Sequence, residues 1–273
     1  MNYLFQYSGS KAQFADKIIQ HFPERKKYEA YVEPFMGSLG MILNKEKYLN
    51  QIEVINDFNS DLTNLFWVLQ NKYKEFVAYS KFAHISSDYY KIIRAKQKFE
   101  TNKIKRAFNY LYLMQFSHNG KGSSFAQYGP NAGISIKTLI ERAEFVNYRL
   151  KDVLILNTDW EKVVNQFDSP KTLFYLDPPY WGTTTDGYGK GCGVINFDRF
   201  KEVVQSMKGY VVVSHSKFEP LAEFLEERKV YEKSITYVKA SKNKATGREH
   251  YDLDKMSRDE YIYTNYKIYG KLF

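Results

Sequence analysis

The sequence predicts an α/β protein: a mostly parallel sheet with crossover helices, interrupted by a mainly helical insert. Between residues 29 and 69 short apolar runs alternate with helical patterns, as in strands joined by crossover helices. That alternation then stops, and the next strand-like run begins only at residue 153. Connections in such sheets usually run about 2–6 residues, so the middle must hold an inserted module. A chain of 273 residues, 44% of them hydrophobic, has the apolar content for one large domain, or for a main domain carrying a smaller one.

"FADKIIQHF" (14–22) places Phe14, Ile18, Ile19 and Phe22 on one helical face. "EAYVEPF" (29–35) reads as a strand ending in the glycine-rich turn "MGSLG", and "MILNKEKYL" (41–49) as a helix. A second strand, "IEVIND" (52–57), leads to "FNSDLTNLFWVL", where Asn59 or Ser60 can cap a helix carrying Leu62, Leu65, Phe66 and Leu69. Residues 70–150 are mostly helical in pattern: "FNYLYLMQF" spaces Phe108, Leu111 and Tyr112 helically, before the polar stretch "SHNGKGSSFAQYGPNAG" (117–133). "VLILN" (153–157), "TLFYL" (172–176) and "YVVVS" (210–214) resume the sheet. "SITYVKA" (234–240) and "DEYIYTNY" (259–266) are further strands, joined by a long basic connection, "SKNKATGREHYDLDKMSR".

The single cysteine, Cys192, excludes an internal disulfide framework and fits a reducing compartment. No run of about 18 apolar residues suggests a membrane span, and the N-terminus lacks the pattern of a signal peptide. The expectation is a soluble cytoplasmic protein. The net charge of +9 points to a polyanion partner, or else to a lysine-coated surface that maintains solubility.

In an open parallel sheet ligands bind beyond the carboxyl ends of the strands. "EPFMGSLG", "NDFNSD", "NTDW" and "DPPY" all fall at such ends. Gly37, Ser38 and Gly40 allow a tight turn and close approach of backbone to a ligand, although an ordinary strand-to-helix turn would look the same. Asp57, about 20 residues later, suits a carboxylate accepting ribose hydroxyls, or a helix-entry residue beside Asn59. The absence of a G-x-x-x-x-G-K-[ST] run argues against a phosphate-binding loop.

After "TLFYL" the chain meets Asp177, Pro178, Pro179 and Tyr180. Asp-Pro can be a plain turn. Alternatively, the Asp177 carboxylate and the Pro178 carbonyl form a fixed acceptor pair for a planar amino group, with Tyr180 as a stacking face. An exocyclic amine on a nucleobase is a poor nucleophile because its lone pair is delocalised. Accepting its hydrogens draws the nitrogen toward a tetrahedral, reactive geometry, which is positional and electrostatic help. Such a base must first leave the duplex stack.

"QYSGSK" (6–11), "VEPFMGSLG" (32–40), "INDFNSDL" (55–62), "NTDW" (157–160), "LDPPY" (176–180) and "DEYIYTNY" together resemble, in this order, the Dam-like DNA adenine-N6 methyltransferases of the D12 class with the alpha-group motif order. The resemblance implies a Rossmann-like S-adenosylmethionine-dependent methyltransferase sheet (1–69 plus 151–273) with an inserted, mainly helical target-recognition domain (70–150). It implies S-adenosyl-L-methionine as cofactor, no metal, and double-stranded DNA as partner, and it admits a cognate restriction endonuclease and a bacterial or phage origin. Carried over by position, Tyr7 and Lys11 look like N-terminal cofactor contacts. Phe35, Gly37 and Ser38 look like the turn under the methionine part, Asp57 the ribose partner, and Asp159 and Trp160 the pair beside the cofactor's adenine. Asp177, Pro178, Pro179 and Tyr180 resemble the catalytic tetrapeptide, with Asp177 also near the cofactor.

Two departures stand out. Leu39 occupies the place of a glycine common in the family's F-x-G-x-G turn, and Ser123 lies near the place of an arginine found in GATC-reading relatives. Since arginine bidentate to guanine is the commonest direct base contact, GATC is not expected to be the target. For DNA, Asn119, Lys121 and Gln127 are the candidates for base edges, and the basic stretch 239–248, with Lys242, Lys244 and Arg248, for phosphates. The stretch 89–106 carries seven Lys or Arg against one Glu, fitting either phosphate contacts or a solvated helix face. Residues 181–193 have the glycine content of a lid, while His118 and His215 stand alone, without metal-ligand spacing. Rival readings are an amino-methyltransferase acting on cytosine N4, RNA or protein glutamine, whose sequences more often show Ser or Asn at the Asp177 position, and a catalytically silent DNA-binding homologue.

Overall fold

The computed structural model describes residues 2–7, 9–126, 134–181, 195–231, 234–242, 249–257 and 259–267; for Asn119 and the segments 234–242 and 249–257 it describes the backbone alone. Seven strands form one sheet: β1 (Ala30–Glu33), β2 (Ile52–Asn56), β3 (Leu154–Leu156), β4 (Thr172–Leu176), β5 (Tyr210–His215), β6 (Glu226–Tyr231) and β9 (Glu260–Thr264). Their spatial order is β3-β2-β1-β4-β5-β9-β6, parallel from β3 through β5 and antiparallel on both sides of β9. β7 (Ser234–Lys242) and β8 (Glu249–Ser257) pair antiparallel as a separate ribbon.

Alternate side chains of each strand enter opposite cores, as the pleat dictates. Tyr31, Ile55, Leu173, Tyr175, Val212 and Ile262 face one core, which also takes α2 (Ser60–Asn71), α3 (Tyr73–Ser80), α4 (Ser87–Gln97), α5 (Lys103–Gln115) and α6 (Ile136–Arg149). Val32, Val54, Phe174, Leu176, Val211 and Val213 face the other, beneath α7 (Trp160–Phe167), α8 (Phe197–Ser206) and α9 (Glu219–Ala222). Both faces are covered, so β4 is buried at all five positions and reads as a continuous apolar run. Each fully buried large side chain contributes about 1.5–3 kcal/mol, which sets the sheet and its two helical layers as one packed unit.

The helices start where the sequence provides caps. Asn59 Oδ1 accepts from the N–H groups of Asp61 and Leu62, and Leu62, Leu65, Phe66 and Leu69 form the buried face of α2. Asn102 caps α5, Ser86 α4 and Ser135 α6 in the same way. The short α1 (Ala15–Ile19) buries Ala15 and Ile18. The inserted helices share their core with α2 and the sheet rather than enclosing a core of their own.

Two expectations fail. Residues 41–49 do not form a helix: the chain makes one turn, with Leu43 N–H on Leu39 O and Lys45 N–H on Met41 O, and then runs back toward β2. The Lys45 ammonium is drawn inside onto Glu53 and Gln51 at 3.0 and 2.6 Å, which fixes the return path. The polar connection 241–258 contains β8, and residues 226–231 form β6; neither shows apolar alternation, because β6 is a charged edge strand and β8 belongs to a two-stranded ribbon held by main-chain bonds.

Candidate active site

β1 has β2 on one side and β4 on the other, so the strand order reverses direction between β1 and β4. Such a switch point opens a crevice at the carboxyl ends of the strands. A cavity of about 390 Å³ lies there. Its walls come from the ends of β1 (Glu33 to Met36), β2 (Asn56 to Phe58), β3 (Thr158 to Glu161) and β4 (Asp177, Pro179), with Tyr7, Gly9 to Lys11, and Ile195, Asn196 and Arg199 closing the sides.

At the glycine-rich turn Gly37 has φ +46°, where a side chain would be strained. Its N–H donates to Asp57 Oδ2 at 3.1 Å, and Asn59 N–H donates to Asp57 Oδ1 at 2.9 Å. The half-buried Asp57 carboxyl thus keeps lone pairs free toward the cavity, and burial, opposed by these two bonds, pushes its pKa up to about 6. Leu39, where glycine is common in the resembling family, has φ +64° and is wholly buried. The left-handed geometry is retained, and the apolar side chain offsets its strain by burial. Ser38 Oγ bonds Ser10 Oγ at 2.9 Å, and a Cβ on Gly40 would come within 2.8 Å of Ala12 N. The turn therefore clasps the N-terminal segment against the sheet.

On the far wall Phe35 and Trp160 lie 5.7 Å apart, and Trp160 also packs on Phe200, so it is both a core residue and a wall of the cavity. Asp159 caps α7 through Glu161 N–H, which uses one carboxylate oxygen. Arg199 bridges to Glu161 at 2.8 Å across the cavity's edge.

Lys11 carries the centre of the site. It is 5% exposed, so its ammonium is a buried charge and not a solvated one. Its Nζ lies 2.9 Å from Asp177 Oδ1, 3.1 Å from Oδ2 and 3.8 Å from Glu260 Oε1. Burial works against the ammonium, but the two carboxylates outweigh it and hold its pKa well above the ordinary lysine value. Burial also raises the Asp177 pKa, opposed by Lys11 and by the Ser214 hydroxyl, which donates at 2.9 Å. Tyr175 OH and Ser214 Oγ are 2.8 Å apart; with the Ser214 proton on Asp177, Tyr175 donates to Ser214. Tyr180 OH donates to Glu260 Oε1 at 2.6 Å, and burial raises the Glu260 pKa. Lys11 Nζ sits 4.8 Å from the Tyr180 ring centre. Asp177 and Pro179 line the cavity, while Pro178 is buried beneath it.

Tyr7, Lys11, Phe35, Gly37, Ser38, Asp57, Asp159, Trp160 and Asp177 thus converge on one cavity. Asn119 and Lys121 lie on and just after a tight turn, His118–Gly120, whose Gly120 (φ +65°) packs so closely on Gln6 that a Cβ would overlap the Gln6 carbonyl oxygen. The turn is docked beside Tyr7. Lys242 ends β7; Gln127, Lys244 and Arg248, Cys192, and all but Trp181 of the 181–193 stretch lie outside the described residues. In 89–106, Arg106 pairs with Asp61 and Lys91 with Asp88. Among the described residues no three His, Cys, Asp or Glu side chains group as a metal-binding set, and no helix is long and apolar enough to cross a membrane. Sequence reasoning gave no role to Ser214 or Glu260 and set His215 aside; the "DEYIYTNY" match was the only signal for Glu260.

A family model described as "D12 class N6 adenine-specific DNA methyltransferase" matches residues 7–257. The chain is similar to the Type II methyltransferase M1.LlaDCHI of Lactococcus lactis subsp. cremoris, with 26% identity over 268 residues, 89% of this chain and 91% of the relative. It is also similar to DNA adenine methylases of Haemophilus influenzae (27% identity, 64% of this chain, 62% of the relative) and Serratia marcescens (29%, 42% of each).

Proposed function

The chain belongs to the D12 class of N6 adenine-specific DNA methyltransferases, and from that premise we propose how its residues divide the work between methyl donor and target base. The protein is an enzyme that methylates adenine in DNA at N6. S-adenosyl-L-methionine is the donor the cavity suits. Its size falls in the range of small-ligand sites, about 300–1,000 Å³. It offers a carboxylate with free lone pairs for ribose hydroxyls (Asp57), an aromatic wall for a purine (Phe35, Trp160) and a glycine turn for close backbone approach (Gly37). When bound, this donor supplies an electrophilic methyl group on a positively charged sulfur.

The residues of the chain do the rest. Asp177 and the Pro178 carbonyl accept the N–H bonds of the adenine amino group, localising the nitrogen lone pair and orienting it. Lys11 and Ser214 hold the Asp177 carboxylate in place from behind, and burial makes it more basic than a free aspartate, which suits it to take up an amino proton. Asp rather than Ser or Asn at this position favours adenine N6 over cytosine N4. Residues 70–150 serve target recognition, with Asn119, Lys121 and Gln127 toward bases and Lys242, Lys244 and Arg248 toward phosphates. Without an arginine at Ser123, the sequence read is one other than GATC. A cytoplasmic location follows from the DNA substrate and the lone cysteine.

The observation that carries this reading is the convergence of the Asp177 corner and the Asp57–Gly37 turn on one cavity at the switch point. The test is transfer of labelled methyl from S-adenosylmethionine to duplex DNA, with nucleoside analysis and sequencing of the modified product. N6-methyladenine outside GATC is expected. Asp177→Ala should lower turnover at least about 10²-fold, the scale of losing a group that acts in the transition state. Full activity in that variant would remove the corner from catalysis, and modification confined to GATC would remove the specificity proposal.

A further inference from the structure

His215 ends β5 and is 1% exposed, at the same rim as Asp177. It does not line the donor cavity, and nothing above gives it a task. Its ring stacks on Tyr180, with centres 4.1 Å apart and planes 26° apart, and on Trp181 at 5.2 Å and 18°. Its two nitrogens are both engaged: Nδ1 lies 2.9 Å from the Ser216 carbonyl oxygen, and Nε2 lies 3.3 Å from the Trp181 main-chain nitrogen. A carbonyl can only accept, so Nδ1 carries the proton. An N–H can only donate, so Nε2 offers its lone pair. One imidazole thereby grips the two residues that follow the diproline, Tyr180 by its ring face and Trp181 by its backbone.

We infer that His215, as a neutral Nδ1–H imidazole, is a positioning residue for the catalytic corner: it fixes Tyr180 and the chain leaving Pro179, and so the direction in which the Asp177–Pro178 acceptors point. The inference rests on the reading of that corner as catalytic. Trp181 is itself immobilised by its indole N–H on Ile195 O at 2.8 Å and by Phe197, Phe200 and Phe218, so the bond to its amide is anchored at both ends. A proton on Nε2 would set N–H against N–H and place a cation near the Lys11 ammonium. Among the described residues, Lys11 and Glu260 are charged groups beside Tyr180, and Glu260 is already committed to Lys11 and the Tyr180 hydroxyl. Burial first, and Lys11 in addition, accordingly lower the His215 pKa to about 4, against the pull of the Ser216 carbonyl.

The test uses variants that separate the acceptor from the ring. His215→Asn keeps an acceptor and loses the stacking face; His215→Phe keeps the face and loses the acceptor. Single-turnover methylation of duplex DNA with labelled S-adenosylmethionine should slow about three- to tenfold in each, and further in His215→Ala, from the loss of one hydrogen bond, one ring contact or both. KM for the donor should stay within about twofold, since His215 lies outside the cavity. Wild type and His215→Asn should show the same pH–rate shape between pH 5.5 and 8.5. Imidazole ¹⁵N shifts of the wild-type protein should report the neutral Nδ1–H tautomer across that range, a readout independent of whether any variant folds. A ring that titrates near 6.5, wild-type rates in all three variants, or a loss confined to donor KM would each overturn the inference. If Asp177→Ala is inactive while the His215 variants match wild type, only the role of His215 falls; if Asp177→Ala is active, the corner reading falls with it.

Discussion

Donor binding should depend on pH through Asp57. Its carboxyl is pushed up to about 6 by burial, and on the proposed role it accepts bonds from ribose hydroxyls, which only the ionised form does with both oxygens. If the protonated form does not bind, the apparent Kd is the intrinsic Kd divided by the ionised fraction. With a pKa of about 6 the apparent Kd is nearly intrinsic at pH 7.5, about twice intrinsic at pH 6 and about elevenfold weaker at pH 5. An ordinary aspartate at about 3.9 would give a change of under about ten per cent at pH 5, so the two cases are easily told apart. The assay is calorimetric titration with S-adenosylmethionine from pH 5 to 8, in parallel with Asp57→Asn, whose difference from wild type removes the donor's own ionisations. The variant should bind more weakly at pH 7.5 and lose this limb. The sign for folding is opposite. A carboxyl whose pKa is raised in the folded state contributes its stability below the unfolded pKa of about 3.9 and loses it as pH rises through about 6, so weaker donor binding at pH 5 cannot come from unfolding at this group. A wild-type affinity that stays flat down to pH 5, or a limb that survives in Asp57→Asn, would refute the assignment.

Two further outcomes follow from the same site. Lys11→Met removes the cation that opposes the burial of Asp177, so the acid limb of the pH–rate profile, set by the Asp177 carboxylate, should move to higher pH, and kcat at neutral pH should fall; an unmoved limb measured by steady-state methylation would contradict the pairing. Leu39→Gly relieves a strain of about 1 kcal/mol but empties a fully buried leucine site worth about 3–5 kcal/mol, so urea unfolding should show a net loss of roughly 2–4 kcal/mol; a stabilised variant would mean that the left-handed turn dominates.

The sheet was legible because its central strands are buried on both faces: "TLFYL" and "YVVVS" carry the signal in composition alone. Caps such as Asn59 were legible for the same local reason, a side-chain acceptor followed by an apolar helical face. β6 and β8 were not, because an edge strand and a two-stranded ribbon draw their hydrogen bonds from partners remote in sequence and bear charge instead of apolar alternation. The site divides along the same line. Gly37, Asp57 and Asp177 announce themselves by turn chemistry at strand ends. Lys11 came only from the resemblance, since its partner lies 166 residues away. Ser214 and Glu260 act through Asp177, Lys11 and Tyr180, and pairings of that kind exist only once β4, β5 and β9 lie side by side.

Beyond the apolar core that the insert shares with α2 and the sheet, three of its contacts lie near the proposed donor site or tie it to the central strands. At the end of α6 the buried Arg149 makes two bonds, of 2.6 and 2.8 Å, to Glu53 on β2, which Lys45 also contacts. Removing one partner from such a group leaves a buried charge unpaired, a penalty of about 3–5 kcal/mol, so this attachment is a fixed hinge point rather than a sliding contact. Near the start of α5, Arg106 holds Asp61 and Ser60 at the N-terminus of α2, a few residues beyond Asp57. At the tip of the insert, Gly120 presses on Gln6 beside Tyr7. Two of the three contacts thus adjoin residues proposed to hold the donor, one by tight backbone packing and one by a half-exposed charge pair. On the proposed assignment of donor and DNA sites, any change that DNA makes in the donor's affinity must be matched by an equal change that the donor makes in the affinity for DNA, because such coupling is reciprocal by linkage. Calorimetric titration of the donor with and without duplex DNA measures that coupling, and the turn at Gly120 and the first turn of α2 are where substitutions are expected to change it.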